Sequence, residues 1–208
     1  MVEISQKHGV PIFENESYAD FRIDGDPLPP AMLGMDDSDC VMYVSAYTKL
    51  IGCGLRLGYG VVPPPVMDSL KTIRFGGIPS HLAAMGVYQY LADNREEYVT
   101  DVASSLRAKR DAMLGALGTH FPSNTTWSKP DGGMMIWVKL PEGADTMAAL
   151  PAAVEADVKY NPGPVFRAER DRANYLRLTY SHNSPDEIRD GIEILAGVFQ
   201  REGLFGWG

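Results

Sequence analysis

A continuous apolar run at residues 40–47, CVMYVSAY, constrains the fold more than any other segment of the 208-residue chain. A run of this length without polar alternation is typical of a buried strand in a parallel sheet. Shorter apolar segments with strand character lie on either side of it, VPIF at residues 10–13 and LRLGYGVV at residues 55–62. We expect VPIF to pair parallel with the central run and LRLGYGVV to pair antiparallel with it.

Three consecutive prolines at residues 63–65 end the third strand, and the hydrophobic period then becomes helical. Three helices are predicted next, over residues 66–74, 80–93 and 95–117. The later elements are a strand within 127–140, a helix over 145–156, a strand and turn over 158–166, and a strand over 175–181. A final helix begins at Ser184, where a cap residue, a proline and two acids form a helix start. The order predicts an α/β domain over residues 1–105 and a small α+β domain over residues 106–208.

Composition narrows the classes of partner. The net charge is −8 and the isoelectric point is about 5.0, which argues against a nucleic-acid partner because such partners need a basic face. No apolar run approaches the ~18 residues that span a bilayer, and the N-terminus is too polar for a secretory signal. The two cysteines, without a C-x-x-C motif, are expected to be reduced thiols of a cytoplasmic protein. The four histidines are scattered, so no metal site is predicted.

The residues that follow the central strand carry the chemistry. Lys49 lies just past the apolar run, Thr48 precedes it, and Arg56 follows seven residues later beyond a Gly-x-Gly turn. A lysine that forms a Schiff base needs a desolvated site, and a phosphate anchor needs an arginine with hydroxyl or backbone donors. Both needs can be met within this one turn. Spacing alone nevertheless favours an exposed lysine and an ordinary surface arginine.

The whole segment at residues 43–59, YVSAYTKLIGCGLRLGY, resembles the lysine motif of the class I/II aminotransferases, roughly S-F-S-K-x-x-x-P-G-x-R-x-G-Y. Other segments resemble further motifs of that family in the family's order: residues 14–18 (ENESY), residues 132–137 (GGMMIW), residues 160–163 (YNPG) with Phe166, and residues 174–178 (NYLRL). The resemblance covers nearly the whole chain and is nearest to the aminoadipate and kynurenine aminotransferases. It implies the C-terminal part of a fold-type I pyridoxal-phosphate enzyme, with three strands of a larger central sheet and a small C-terminal domain.

The resemblance also implies the roles of individual residues. Lys49 would carry pyridoxal phosphate as a Schiff base and move the proton between substrate and cofactor, with Thr48 and Arg56 on the phosphate. Tyr18 would bond the cofactor's ring oxygen. Arg177 would hold the substrate α-carboxylate with its planar fork, although by itself it could equally be a strand arginine in a salt bridge.

Three positions depart from the family pattern. Asn15 stands where the family has the aspartate that keeps the pyridine nitrogen protonated, and Glu14 and Glu16 beside it are expected to face away because side chains alternate along a strand. Ala46 stands where the family has a serine that binds the phosphate. Cys53 stands where the family has a proline, most simply as a small packing residue.

The resemblance implies an aminotransferase, or a fragment of one, that moves an amino group between an amino acid and a 2-oxo acid. Two alternatives remain: a pyridoxal-phosphate lyase or decarboxylase on the same fold, and a degenerate or regulatory cofactor-binding domain without turnover. Three strands alone leave exposed apolar edges, so we expect a homo-oligomer, a dimer, or a chain that needs the family's N-terminal half.

Overall fold

The computed structural model describes residues 1–74 and 76–206 and divides into two compact units, Met1–Thr100 and Asp101–Gly208. Helix α1 (Val2–His8) opens the first unit and ends at Gly9, whose left-handed φ of 63° suits a residue without a side chain. The remaining elements of this unit are strands β1 (Ile12–Asn15), β2 (Val41–Ala46) and β3 (Gly58–Val61), helices α2 (Tyr47–Leu50) and α3 (Pro64–Ile73), and the beginning of α4 (His81–His120).

The three strands form one sheet in the order β1-β2-β3, with β1 parallel to β2 and β3 antiparallel to β2, which confirms the predicted pairing. The strand bounds differ from those predicted. β1 begins at Ile12 and continues to Asn15. β3 begins only at Gly58, because a 3₁₀ turn and the left-handed Arg56 occupy the residues before it.

Glycine at position 58 is required by the approach of β3 to β2. A β-carbon on Gly58 would lie 3.0 Å from the Ser45 carbonyl oxygen and 3.4 Å from the Ala46 side chain. The core of this unit contains the buried residues Phe21, Val41 and Leu50. The strand pairing therefore brings the end of β2 and the start of β3 into close backbone contact at one edge.

The long helix corrects the sequence-based prediction of two helices, over residues 80–93 and 95–117. α4 is one helix of 40 residues, and the division between the two units falls within it. Asn94 lies where a break was expected. Its side-chain amide donates to the Tyr90 carbonyl at 2.8 Å, so its polar group is satisfied within the helix and no break is needed.

The second unit is built on a four-stranded antiparallel sheet in the order β4-β5-β7-β6. Its strands are β4 (Thr126–Trp127), β5 (Met135–Lys139), β6 (Asn161–Pro162) and β7 (Tyr175–Thr179), and its helices are α5 (Leu150–Glu155) and α6 (Pro185–Arg201). α5 starts later than predicted because the Asp145 carboxylate accepts the backbone N–H groups of Met147 and Ala148 and holds a turn there. The predicted start of α6 is confirmed by a capping box between Ser184 and Glu187.

The core of the second unit is aromatic at its centre. Phe121, Phe199 and Phe205 meet edge to face, with ring centroids 5.2–6.0 Å apart, and Tyr160 packs against Phe199 at 5.4 Å. Across the residues that the structure describes, no helix combines the length and the apolar character that crossing a membrane requires. The α/β unit followed by an α+β unit is the predicted fold class.

Candidate functional site

The residues predicted to bind the cofactor lie near one end of the three-stranded sheet, which we call the cofactor edge. The parallel strands β1 and β2 both end there, at Asn15 and Ala46, and the antiparallel β3 begins there, at Gly58. The segments that leave this edge carry Tyr18 after β1, Thr48 and Lys49 after β2, and Arg56 before β3. Carboxyl ends of parallel strands are where α/β folds place ligands. Chain topology therefore brings the segments that carry five of the six predicted residues to the same end of the sheet.

Lys49 is carried by the single turn of α2, which follows β2 without a loop. The Tyr47 N–H donates to the Leu57 carbonyl at 3.0 Å and so connects the start of α2 to the residue before β3. The Tyr98 hydroxyl donates to the Leu50 carbonyl at 2.7 Å, and the Leu50 side chain is buried. Both ends of the turn are thus fixed, while Lys49 itself is exposed within this unit.

Arg56 has a backbone conformation that few residues with side chains adopt. Its φ of 49° and ψ of 41° are left-handed, which costs a non-glycine residue ~1–2 kcal/mol. Such strain persists only where surrounding contacts impose it, and it is concentrated at binding and catalytic positions. The strained backbone at Arg56 is therefore consistent with a binding position, although Asp39, Asp157, Arg170 and Arg172 also have a positive φ.

Asn15 and Tyr18 occupy the turn that follows β1. The Asn15 Oδ1 atom accepts the Ser17 backbone N–H at 3.2 Å and the Ser17 hydroxyl at 2.7 Å. A backbone N–H can only donate, so this contact fixes which amide atom is oxygen, and the Nδ2 group points away from Ser17 as a donor. Tyr18 is 40% exposed, with its ring 5.9 Å from Phe21.

The two acids beside Asn15 have other partners. Glu14 is buried, and its carboxylate accepts the backbone N–H groups of Met32 and Leu33 at 2.7 and 3.0 Å, which caps a 3₁₀ turn. Glu16 accepts the Tyr43 hydroxyl at 3.3 Å. Glu14 is therefore engaged in holding the following loop against the sheet.

The two faces of the sheet carry different side chains at the end of β2. Asn15 is opposite Val44 in the register, so Asn15 and Ala46 share one face. Ser45 lies on the other face, where its hydroxyl donates to the Glu16 carbonyl at 3.3 Å. Ser45 therefore does not replace the hydroxyl that is missing at position 46.

A cleft of about 450 Å³ in the first unit was not predicted from the sequence. Tyr47, Tyr59 and Tyr88 line it together with the ion pair between Asp20 and Arg95, which are 2.5 Å apart. Burial, and secondarily the charge of Tyr59, raises the pKa of Tyr47 above its ordinary value, so this hydroxyl stays protonated at neutral pH. The lining combines residues of α2, β3 and α4, which are far apart in the chain, so no local sequence signal could have predicted the cleft.

Arg177 belongs to the second unit, at the centre of its sheet. In the strand register it lies between Trp137 on β5 and Asn161 on β6. The guanidinium carbon lies 4.5 Å from the centroid of the Phe166 ring. The Nε atom is buried and has no hydrogen-bond partner among the described residues. Within the described part of the chain, Arg177 therefore does not form a salt bridge through this atom, which was the alternative role for an arginine on a strand.

Two more motif residues have structural roles in this unit. The Tyr180 hydroxyl donates to the Gly133 carbonyl at 2.8 Å, and Gly133 has a φ of 80°, so this glycine makes the turn into β5. The buried Asn174 donates its side-chain amide to the Leu140 carbonyl at 2.8 Å and ties β7 to the end of β5.

Comparison with known proteins shows the family to which the chain belongs. The sequence profile of aminotransferase class I and II matches residues 1–195. The chain belongs to the class I and II aminotransferase family. Aromatic-amino-acid aminotransferase 1 of Thermococcus litoralis is 29% identical over 97% of this chain and 49% of its own length. An uncharacterised HTH-type transcriptional regulator of Bacillus subtilis, YisV, is 30% identical over 97% of this chain and 42% of its own length.

Among solved structures, the α-aminoadipate aminotransferase of Thermus thermophilus, complexed with N-(5′-phosphopyridoxyl)-L-leucine, superimposes with a TM-score of 0.89. It is 25% identical, over 96% of this chain and 52% of that chain. This aminotransferase likeness confirms the family and the fold-type I architecture inferred from the motifs. The chain spans about half the length of the curated relatives it matches.

Proposed function

We propose that this chain carries the cofactor lysine of a pyridoxal-phosphate-dependent aminotransferase, which moves an amino group between an amino acid and a 2-oxo acid. The observation that carries the proposal is that the segments with Asn15, Tyr18, Thr48, Lys49 and Arg56 all adjoin the same end of one sheet. In this assignment residues 1–105 form the C-terminal part of the large domain and residues 106–208 form the small domain.

The side chains at the cofactor edge suit the chemical groups of pyridoxal phosphate. Arg56 and Thr48 supply a cation and a hydroxyl for the phosphate. Lys49 supplies a primary amine on a turn that is fixed at both ends. Tyr18 supplies a phenol for the ring oxygen, and the Nδ2 group of Asn15 supplies a donor for the pyridine nitrogen.

When bound, pyridoxal phosphate supplies an electron sink for the charge that develops at the substrate Cα. The residues of the chain do the rest. Lys49 Nζ takes the proton from the substrate and returns it, as a general base and then a general acid. Arg177 binds the substrate carboxylate with its planar fork. Arg56 and Thr48 would hold the phosphate of the cofactor.

A second candidate function, a regulatory domain that binds the cofactor without turnover, has specific support. The Asn15 amide presents a donor, so it would bond a pyridine nitrogen without a proton, and pyridoxal phosphate in that form is a weaker electron sink. Ala46 lacks the hydroxyl of the family motif on the same sheet face. The similar Bacillus subtilis protein is named as a transcriptional regulator.

We further propose that the protein works in the cytoplasm as a homodimer. Phe13 and Val61 are exposed apolar residues on the two outer strands of the sheet, and such surfaces are normally covered by a partner. Cys40 and Cys53 are free thiols, as is usual in a reducing compartment.

Isotope transfer separates the two functions. The purified chain is supplied with pyridoxal phosphate, ¹⁵N-labelled 2-aminoadipate or an aromatic amino acid, and 2-oxoglutarate. An aminotransferase produces ¹⁵N-glutamate, and Lys49→Ala abolishes the transfer. Cofactor binding to Lys49 without ¹⁵N-glutamate from a panel of amino donors would instead support the regulatory domain.

A further inference from the structure

The Phe166 ring covers the face of the Arg177 guanidinium. The guanidinium carbon lies 4.5 Å from the ring centroid, within the range of a cation–π contact. The Nε atom on the same side chain is buried without a hydrogen-bond partner among the described residues. Leaving a charged group's donor unpaired is costly, so a contact other than a hydrogen bond must help hold the side chain in this position.

The ring is itself fixed by a row of aromatic side chains along this face of the sheet. Phe166 meets Trp137 edge to face at 5.5 Å, and Trp137 stacks on Tyr175 at 5.8 Å with an angle of 29° between the rings. Trp137 is the cross-strand neighbour of Arg177, and Tyr175 precedes Arg177 by two residues on the same strand. The arginine and the rings that flank it therefore share one face.

The turn that carries Phe166 is pressed against β7. A β-carbon on Gly163 would lie 2.6 Å from the Arg172 carbonyl oxygen and 2.8 Å from the Tyr175 side chain. Real β-carbons do not approach so closely, so only glycine permits this contact. The 3₁₀ turn Gly163–Phe166 starts from that glycine, which places the ring of its last residue at a set distance from the strand.

When a ring covers the flat face of a guanidinium, the N–H groups in the guanidinium plane remain free to donate hydrogen bonds. The outer edge of an arginine carries the parallel N–H groups that match a carboxylate in the plane of the fork. Rotation about the last bonds of the side chain would turn that fork away, and a ring held over the face opposes such rotation. The contact thus sets the direction in which Arg177 presents its donors.

We propose that Phe166 is a positioning residue that orients the Arg177 fork for the substrate carboxylate. The proposal rests on the proposed function in one respect, the assignment of Arg177 to the carboxylate. Phe166 acts through the arginine, and its aromatic face rather than its apolar volume is the property that matters.

The test uses the full chain and four variants. Phe166→Leu keeps apolar volume without a ring face, and Phe166→Tyr keeps the ring. Val165→Ala is the matched control, because Val165 lies in the same turn and is 57% exposed. Arg177→Lys keeps the charge and removes the fork. Side-chain ¹H–¹⁵N NMR spectra follow the Arg177 Nε–H signal, which is assigned by its loss in Arg177→Lys, and calorimetry follows the affinity for 3-phenylpropionate with pyridoxal phosphate present.

In the original chain, Phe166→Tyr and Val165→Ala, the Nε–H signal should be displaced by the ring current and exchange slowly with water. In Phe166→Leu it should lose that displacement and exchange faster, and 3-phenylpropionate should bind about fivefold more weakly, as expected for a partly exposed cation–π contact. If the leucine variant does not fold, Phe166→Met, which also lacks a ring face, gives the same comparison.

An unchanged signal and unchanged affinity in the leucine or methionine variant would overturn the role of Phe166. So would a tyrosine variant that behaves like leucine, since the ring face would then not be the agent. The role of Arg177 fails separately, if Arg177→Lys binds 3-phenylpropionate as tightly as the original chain. Because the NMR signal is read without ligand, the positioning role is tested whichever way the carboxylate result falls.

Discussion

Replacement of Asn15 by aspartate tests the most consequential departure from the family motif. The substitution keeps the size of the side chain and one acceptor oxygen, so both contacts from Ser17, at 3.2 and 2.7 Å, can persist. Only the Nδ2 donor is exchanged for a second carboxylate oxygen. Since Asn15 is exposed in this unit, we expect the free energy of unfolding to change by less than ~0.5 kcal/mol.

The expected gain follows from the type of hydrogen bond at the pyridine nitrogen. A neutral amide bond contributes ~0.5–1.5 kcal/mol, whereas a bond to a charged group contributes ~1.5–3 kcal/mol. The difference, ~1–1.5 kcal/mol, is realised only when the ring nitrogen is protonated, which is the form that best accepts electrons from the substrate. Because ~1.4 kcal/mol is tenfold in rate, Asn15→Asp should raise the rate of the first half-reaction about five- to twelvefold.

Stopped-flow absorbance measures that half-reaction, with chain loaded with pyridoxal phosphate and mixed with 2-aminoadipate. Equilibrium dialysis gives the cofactor affinity of the same samples, which should also increase. Asn124→Asp, in an exposed turn of the second unit, adds the same charge away from the cofactor edge and should change neither quantity. Equal rates and equal affinities for the original chain and Asn15→Asp would refute the reasoning, and Asn15 would then not face the ring nitrogen.

Three further predictions follow from single contacts. Gly163→Ala should lower the free energy of unfolding by ~1–3 kcal/mol, because its β-carbon would lie 2.6 Å from a carbonyl oxygen, and an unchanged denaturation midpoint would contradict the close contact. Ala46→Ser should tighten pyridoxal phosphate binding by ~1 kcal/mol, because it adds a hydroxyl on the face of Asn15. Ser45→Ala, on the opposite face, should leave the affinity unchanged. Equal effects of the two substitutions would show that Ala46 does not face the phosphate. Asp36→Asn should lower the melting temperature at neutral pH, because it removes a carboxylate that accepts several hydrogen bonds. Burial raises the pKa of Asp36, but the hydrogen bonds from Ser38, Val41 and Cys40 outweigh this effect and hold the pKa well below its usual range. That stability is present above the unfolded pKa of ~3.9 and is lost as the pH falls through the folded pKa, so the two proteins should converge in strong acid, and a constant difference down to acid would contradict the assignment.

The elements that sequence predicted correctly are those with local signals. The apolar run at residues 40–47 gave β2, and the cap, proline and acids from Ser184 gave the start of α6. The parallel and antiparallel pairing of β1 and β3 also agrees with the prediction. These features depend on hydrophobic periodicity and on capping residues, and both are determined by residues that are close together in the sequence.

The features that sequence missed depend on residues far apart in the chain. Asn94 looks like a helix break in isolation, but its side chain bonds the Tyr90 carbonyl within one helix. The contact of Phe166 with Arg177 depends on the turn at Gly163, and the tyrosine cleft depends on residues of α2, β3 and α4 lying together. For the site, the motifs named the residues, but only the topology placed Arg56 beside the carboxyl ends of β1 and β2.

The central claim is that Lys49 holds the cofactor, and reductive trapping tests it most directly. The chain is incubated with pyridoxal phosphate, reduced with borohydride, digested and read by mass spectrometry, in parallel with Lys49→Ala. We predict one modified peptide, with the pyridoxyl group on Lys49, and loss of the yellow colour in Lys49→Ala. Modification at Lys71 or Lys109 instead, or equal labelling of Lys49→Ala and the original chain, would contradict it.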